Sequence, residues 1–130
     1  HPTIIVDGAH NADSARVLMT SVQQYFPNRR IILVIGTSQD KDIRGMMAEI
    51  IPHVDQVILT QSRHPRSATP EQLQALISSI EHTRLQLTSD IPPALELAHH
   101  MAHADDVILV TGSLFVVAAA REALGLATSD

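Results

Sequence analysis

Residues 31–35 read IILVI, an uninterrupted run of aliphatic side chains. A run of this length without polar alternation predicts a β-strand covered on both faces, as in a parallel sheet. Residues 85–87 (LQL) alternate and predict an edge strand. The remaining short apolar runs, which we expect to be covered on both faces, lie at residues 4–6, 57–59 and 107–110.

Segments with helical spacing separate these five runs. Residues 69–72 predict the start of one helix, because Thr69 can act as its cap, Pro70 can occupy its first position and Gln72 can close a capping box. Asp90 and Ser113 are expected to cap two later helices. The expected apolar stripes are Ala15, Leu18, Val22 and Phe26; Ile43, Met47 and Ile50; Leu73, Leu76, Ile77 and Ile80; Ala94, Leu97, Ala98 and Met101; and Leu114, Val117 and Leu124, followed by Gly125 as a stop.

Five alternating strands and helices predict an α/β fold. We expect a Rossmann-like three-layer α/β/α domain, with a mainly parallel sheet and helices on both faces. A chain of 130 residues suits one domain, so residues 1–130 are treated as a single unit.

Composition excludes several classes of function. A formal net charge of −5 without a Lys/Arg-rich stretch argues against a nucleic-acid partner. The absence of cysteine excludes disulfides and thiolate metal sites. No apolar window approaches the roughly 18 to 20 residues of a spanning helix, and no signal peptide precedes the first strand. We therefore expect a cytoplasmic protein without a membrane partner, and the abrupt start resembles that of an excised domain.

Polar residues follow every predicted strand, at the edge where parallel sheets bind ligands. Helix N-termini beside Gly8 and Gly112 would favour a carboxylate or a phosphate there. Asp7 is the exception, since its charge would repel phosphate but could accept hydrogen bonds from ribose hydroxyls or an amino group. The candidates are Asp7, Gly8, His10 and Asn11; Gly36, Thr37, Ser38, Asp40 and Lys41; Gln61, Arg63, His64 and Arg66; Thr88 and Asp90; and Thr111, Gly112 and Ser113.

Simpler structural roles compete with each candidate. Asn11 and Asp90 are interpreted first as helix caps, and Ser113 suits a cap and a ligand contact equally. Asp40 and Asp42 could begin a helix around a solvated Lys41. His99 and His103, four residues apart, could share a helix face and bind a metal, but no third ligand is evident and a solvated helix end is the default. The sequence contains neither GxxxxGK[ST] nor GxGxxG, so the chain lacks the usual phosphate cradle.

Four motifs together resemble one protein family. They are VDGAHNADSAR (residues 6–16), VIGTSQDKDIRGMM (34–47), HPRSATPEQL (64–73) and DDVILVTGSLFVV (105–117). In this order they are similar to the C-terminal domain of folylpolyglutamate synthase/dihydrofolate synthase, a branch of the Mur ligase superfamily. Two departures are Ala12, where many relatives have Pro, and Phe115, where many have Tyr; neither removes a ligand group.

The resemblance implies part of an ATP-dependent amide ligase. In that family an N-terminal P-loop domain binds ATP and Mg²⁺, the carboxylate of folate or dihydropteroate becomes an acyl phosphate, and the amine of L-glutamate attacks it. The C-terminal domain closes over the nucleotide and excludes water from the intermediate. The implied enzyme is a monomer, and this chain without the N-terminal domain is expected to be inactive.

By position in the motifs, the resemblance also implies roles for single residues. Asp7 matches an aspartate that contacts the nucleotide. His10 and Ser113 match residues associated with the incoming glutamate, and Lys41 matches a lysine expected to contact a carboxylate. No catalytic residue and no metal ligand is assigned within this chain.

An alternative is a non-catalytic α/β module of the receiver type or a stand-alone nucleotide-binding module. A receiver needs an acidic cluster after the first strand, an acceptor Asp after the third and a Lys after the fifth. Here Asp7 has no acidic neighbour, Thr60 follows the third strand, and Thr111-Gly112-Ser113 stands in place of the lysine.

Overall fold

A computed structural model describes residues 1–77 and 84–125 and contains the five expected strands and five expected helices. The strands are β1 (Thr3–Asp7), β2 (Ile31–Gly36), β3 (Gln56–Leu59), β4 (Arg84–Leu87) and β5 (Val107–Gly112). The helices are α1 (Ala12–Tyr25), α2 (Ile43–Ile50), α3 (Pro70–Ile77), α4 (Ile91–Met101) and α5 (Leu114–Ala123), with a 3₁₀ turn at Ile51–His53 after α2. Ile80, expected on the third helix, lies outside the described residues.

All strands are parallel, in the order β1-β5-β2-β3-β4. β5, the last strand in the chain, therefore lies between β1 and β2. Thr111 of β5 is in register with Asp7 of β1 on one side and with Ile35 of β2 on the other. The carboxyl ends of these three strands consequently meet at one edge of the sheet.

Two hydrophobic layers sandwich the sheet. On one face, α1, α2 and α3 pack through residues such as Leu18, Met47 and Leu73. On the other, α4 and α5 pack through residues such as Ala98 and Val116. Alternate residues of the central strands supply both layers, which is why these strands carry no polar alternation. The expected three-layer α/β/α fold class is confirmed.

The prediction for β1 was wrong in one respect. β4 is an edge strand as expected, but β1 occupies the opposite edge and is covered only in part, since Ile4 is 39% exposed. The reason is topological, because β5 takes the inner position. Ile5 and Val6 still pack against opposite layers, so β1 keeps an apolar sequence at an edge.

The helix caps follow the sequence closely. Asn11 Oδ1 accepts from Ser14 N–H at 2.7 Å in a capping box, and Asp90 Oδ1 accepts from Ile91 N–H at 2.9 Å. Thr69 and Gln72 exchange the two bonds of the expected capping box, 2.8 and 3.1 Å long. The predicted starts of these three helices are therefore confirmed.

Two helix predictions were wrong. The buried residues of α5 are Val116 and Ala120, four residues apart on one face, and Leu124 packs against the same layer, whereas Leu114 lies off this face and is 76% exposed. His99 and His103 do not share a helix face, since α4 ends at Met101 and His103 lies in the following turn.

Candidate functional site

A cavity of about 360 Å³ opens between the carboxyl ends of β2 and β5. The chain leaves β2 toward the α1–α3 layer and leaves β5 toward the α4–α5 layer, so the loops diverge and leave a crevice, the usual ligand position in open α/β sheets. Its volume lies within the range of roughly 300–1,000 Å³ typical of small-molecule sites. It is lined by Ser38, Asp40, Lys41, His64, Arg66, Ser113, Leu114 and Phe115. We call this space the switch-point cavity.

The charges of the switch-point cavity favour an anion. Lys41 and Arg66 both line it, and neither side-chain cation has a hydrogen-bond or ion-pair partner among the described residues. Asp40 supplies a single carboxylate to the same wall. Two cations against one carboxylate suit a ligand with more than one acidic group, and unpaired cations lose nothing internal when they bind it.

Ser113 combines a cap with a cavity position. Its Oγ accepts from Val116 N–H at 3.2 Å and so caps α5, while its backbone N–H donates to Gly36 O at 3.2 Å. A hydroxyl that accepts one bond still has its own hydrogen to donate. The two interpretations of Ser113, cap and ligand contact, are therefore compatible.

A stacked pair of rings separates the switch-point cavity from a second cavity. His64, after β3, and Phe115, in the first turn of α5, stack with centroids 3.8 Å apart and planes 20° apart. His64 Nδ1 also accepts from the N–H of Arg66 at 3.1 Å, which fixes the ring. Both rings line both cavities, the second of which has a volume of about 680 Å³.

The two arginines after β3 do not act as a pair. Arg63 faces the second cavity and bonds Asp90 Oδ2 through Nη2 at 2.7 Å and Nε at 3.0 Å. The Arg63 hydrogen bond, opposed by partial burial and aided by the Ile91 N–H, lowers the pKa of Asp90. Arg63 is therefore paired with Asp90, and of the two arginines only Arg66 adds its charge, beside that of Lys41, to the switch-point cavity.

Asp7 and His10 lie beside the switch-point cavity rather than on its wall. Asp7 ends the edge strand and is exposed, and His10 is exposed in the turn before α1. His10 Nδ1 lies 3.2 Å from Gly8 O, and its backbone N–H donates to Ser14 Oγ at 3.0 Å. Of the four residues singled out by motif, the structure thus joins Lys41 and Ser113 in one cavity and places Asp7 and His10 at the neighbouring turn.

The two glycines expected to admit a ligand differ. A Cβ on Gly8 would make only ordinary contacts, the nearest being Leu114 Cδ2 at 3.5 Å. Gly112, with φ of +129°, packs directly on the backbone of Gly36. The close approach that requires Gly112 is therefore between two strands of the sheet, not between backbone and ligand.

Residues 1–77 and 84–125 contain neither a cluster of metal-binding side chains nor a membrane-spanning helix. No group of three or more His, Asp or Glu side chains within these residues could hold a metal ion. No helix in that part of the chain is long and apolar enough to cross a membrane.

Sequence reasoning missed the ring stack and the Arg63–Asp90 pair. The ring stack joins residues that follow β3 and β5, which are not consecutive in the chain, so it depends on strand order. The Arg63–Asp90 pair joins residues that follow the consecutive and neighbouring strands β3 and β4. The sequence showed that polar residues follow each strand, but their spacing alone does not predict which of them contact one another.

Residues 1–114 match the family model described as Mur ligase, glutamate ligase domain. The chain belongs to this family. The resemblance found in the four motifs is thereby confirmed, and so is the link between this sheet and the Mur ligase fold.

Several relatives within the Mur ligase family carry folate names. The dihydrofolate synthase/folylpolyglutamate synthase of Escherichia coli K12 is 35% identical over 124 residues, which cover 95% of this chain and 28% of that protein. The bifunctional folylpolyglutamate synthase/dihydrofolate synthase of Yersinia pestis, solved with AMPPNP and a Mn ion, is 32% identical with a TM-score of 0.85 and is covered to 28%. A structure of an enzyme of the same name with Mn, AMPPNP and L-glutamate bound has a TM-score of 0.86 at 32% identity; the match covers 96% of this chain and 29% of that one. The chain thus spans under a third of the length of these relatives.

Proposed function

We propose that residues 1–130 form the C-terminal domain of an ATP-dependent amide ligase that adds L-glutamate to folate or dihydropteroate through an acyl phosphate. The observation that carries this proposal is the switch-point cavity, with its two unpaired cations and one hydroxyl, in a chain of the Mur ligase, glutamate ligase domain family. The names of the relatives, which match over nearly the whole chain, support the folate branch.

The switch-point cavity would receive the incoming glutamate. Lys41 and Arg66 provide a cation for each of its two carboxylates, and the Ser113 hydroxyl provides a further donor. Asp40 provides an opposite charge for the ammonium group. The stacked rings of His64 and Phe115 would close one side of the site.

The β1–α1 turn would face the nucleotide and the reacting amine. Asp7, at the tip of β1, suits ribose hydroxyls, which donate hydrogen bonds to a carboxylate. In the neutral tautomer that carries its proton on Nδ1, His10 would donate to Gly8 O and present Nε2 as an acceptor for the amine of glutamate. Asn11 remains a cap, because its side chain is already bonded to Ser14 N–H.

A second, N-terminal domain would hold ATP and Mg²⁺. When bound, the metal supplies charge neutralisation for phosphoryl transfer to the folate carboxylate. This chain would contribute the glutamate site, one contact to the nucleotide and closure over both, which keeps water from the acyl phosphate. We further propose a cytoplasmic monomer that acts on small molecules alone.

The test is a steady-state assay of the full-length ligase that carries this chain. With ATP, Mg²⁺, glutamate and dihydropteroate or a reduced folate, we expect ADP release that depends on the folate. Lys41→Gln should raise KM for glutamate by about tenfold or more, since a hydrogen bond to a charged group contributes about 1.5–3 kcal/mol, and should leave KM for ATP unchanged.

Arg44→Gln is the matched control, because Arg44 is exposed on α2 three residues away and does not line the switch-point cavity. Absence of folate-dependent ADP release would contradict the reaction. An unchanged KM for glutamate in Lys41→Gln would contradict the site.

A further inference from the structure

Thr111 carries a hydroxyl that the fold leaves without a partner. The residue is fully buried at 0% exposure, and its Oγ1 makes no hydrogen bond within the described residues. Burying an unsatisfied hydroxyl costs free energy, so such a group in the middle of a sheet calls for an explanation. Thr111 lies two residues before Ser113, near the carboxyl end of β5, the strand between β1 and β2.

The register of the sheet puts Thr111 beside Asp7. The two are directly paired on parallel strands, so their side chains lie on the same face of the sheet. That face is the α1–α3 side, because the residues two positions earlier, Ile5 and Leu109, belong to that hydrophobic layer. On its other side Thr111 is paired with Ile35, which offers no polar atom.

We infer that Thr111 is a positioning residue that donates a hydrogen bond to the Asp7 carboxylate and so orients it toward the ribose of the nucleotide. Adjacent strands lie about 4.8 Å apart, and the combined reach of a threonine hydroxyl and an aspartate carboxylate closes that gap to about 2.7 Å by side-chain rotation alone. Asp7 is exposed at an edge, and no other described residue bonds its side chain.

The hydrogen bond from Thr111 would orient the Asp7 carboxylate. One carboxylate oxygen held by Thr111 leaves the second oxygen in a defined direction to accept from a ribose hydroxyl, so less rotational freedom is lost on binding. The inference rests on the proposed role of Asp7 and adds a residue that does not itself touch the nucleotide.

Thr37 provides a matched control. It follows β2, is 1% exposed, and also carries an Oγ1 without a partner among the described residues, but β2 is not adjacent to β1. Val has nearly the shape of Thr without the hydroxyl. Thr37→Val and Thr111→Val therefore remove equivalent orphaned groups at two distances from Asp7.

The experiment measures the Kd of AMPPNP for the full-length ligase by calorimetry, without folate or glutamate. We expect Thr111→Val to raise Kd about tenfold, Thr111→Ser to stay within twofold of the wild type, and Thr37→Val to leave Kd unchanged. In an Asp7→Ala background, Thr111→Val should have no further effect, because the group through which it acts is gone.

A wild-type Kd in Thr111→Val, or an equal effect of that change with and without Asp7, would overturn the inference. Thermal unfolding of each variant separates a loss of fold from a loss of orientation. The Kd of AMPPNP tests this inference, whereas turnover tests the proposed reaction. If the reaction were wrong, the full-length protein would show no folate-dependent turnover, but the Kd of Thr111→Val would still differ from that of Thr37→Val.

Discussion

Gly112 at the end of β5 lies so close to Gly36 at the end of β2 that a methyl group on Gly112 would overlap the Gly36 carbonyl oxygen. The next residue uses the same oxygen, since Ser113 N–H donates to Gly36 O at 3.2 Å. This contact holds the start of α5 against the loop that carries Lys41. The geometry of the switch-point cavity thus depends on Gly36 and Gly112, two glycines that face each other on neighbouring strands.

Replacing Gly112 with Ala should destabilise the domain severely. The backbone there has φ of +129°, which L-residues rarely adopt, and the added methyl group would force β5 from β2. We expect a loss of more than about 4 kcal/mol in urea unfolding of this chain. Gly125→Ala is the control, with φ of +74° and open space around it, and should cost only about 1–2 kcal/mol. Equal losses would refute the packing argument.

Gly45 should show strong coupling to Asp42. The Asp42 carboxylate caps α2 by accepting from Gly45 N–H at 3.1 Å, and it occupies the space of a Cβ on Gly45. Gly45→Ala should therefore displace the cap and cost about 1 kcal/mol, although Ala favours helices. In an Asp42→Ala background the same change should cost clearly less. Additive free energies of unfolding in this cycle would argue against the overlap.

Stability should fall in acid through Asp106. Burial alone would raise the pKa of this carboxyl, but hydrogen bonds from Arg30 and from His103 N–H, with the nearby positive charge, lower it below the ordinary value. The ionised form is thus favoured in the folded state, so the contribution is complete above the unfolded-state pKa of about 3.9 and disappears as pH falls through the lowered value.

Asp106→Asn should accordingly cost about 2 kcal/mol near neutral pH and flatten the decline in unfolding free energy below pH 4. Asp105→Asn, at an exposed neighbouring position, is the control. It should change neither the free energy of unfolding near neutral pH nor its decline below pH 4. An acid limb identical to that of the wild type in Asp106→Asn would disprove the assignment.

Ser113→Ala should affect both stability and glutamate binding. Loss of the α5 cap costs about 1 kcal/mol, and loss of the hydroxyl should raise KM for glutamate in the full-length ligase. Thr69→Ala removes the equivalent cap of α3, away from the switch-point cavity, and should match the loss of stability alone. If both variants shift KM equally, the effect on Ser113 is structural.

Local features of this fold were predictable from the sequence. The run at residues 31–35, the capping box at Thr69 and the caps at Asn11 and Asp90 express short-range rules of burial and hydrogen bonding, and the structure contains them all. The resemblance of four motifs also predicted the Mur ligase family, and the match to the family model confirms it.

What failed depended on long-range order. The exposed edge at Ile4 follows from the insertion of β5, which no local pattern records. The His64–Phe115 stack joins segments that follow β3 and β5 and so depends on that same order, whereas the Arg63–Asp90 pair depends on the pairing of β3 with β4. Asp7 and His10 keep their predicted roles as proposals, since their partners would come from bound ligands and a second domain.

The position of β5 also sets the order in which the domain can assemble. Among the described residues β1 has no strand partner but β5, and Thr3 pairs with Val107 about 100 residues later. During synthesis the first strand therefore cannot pair until the segment that begins at Val107 has been made. Such non-local pairing slows folding, and a chain that stops before Val107 would leave both β1 and β2 without the strand that joins them.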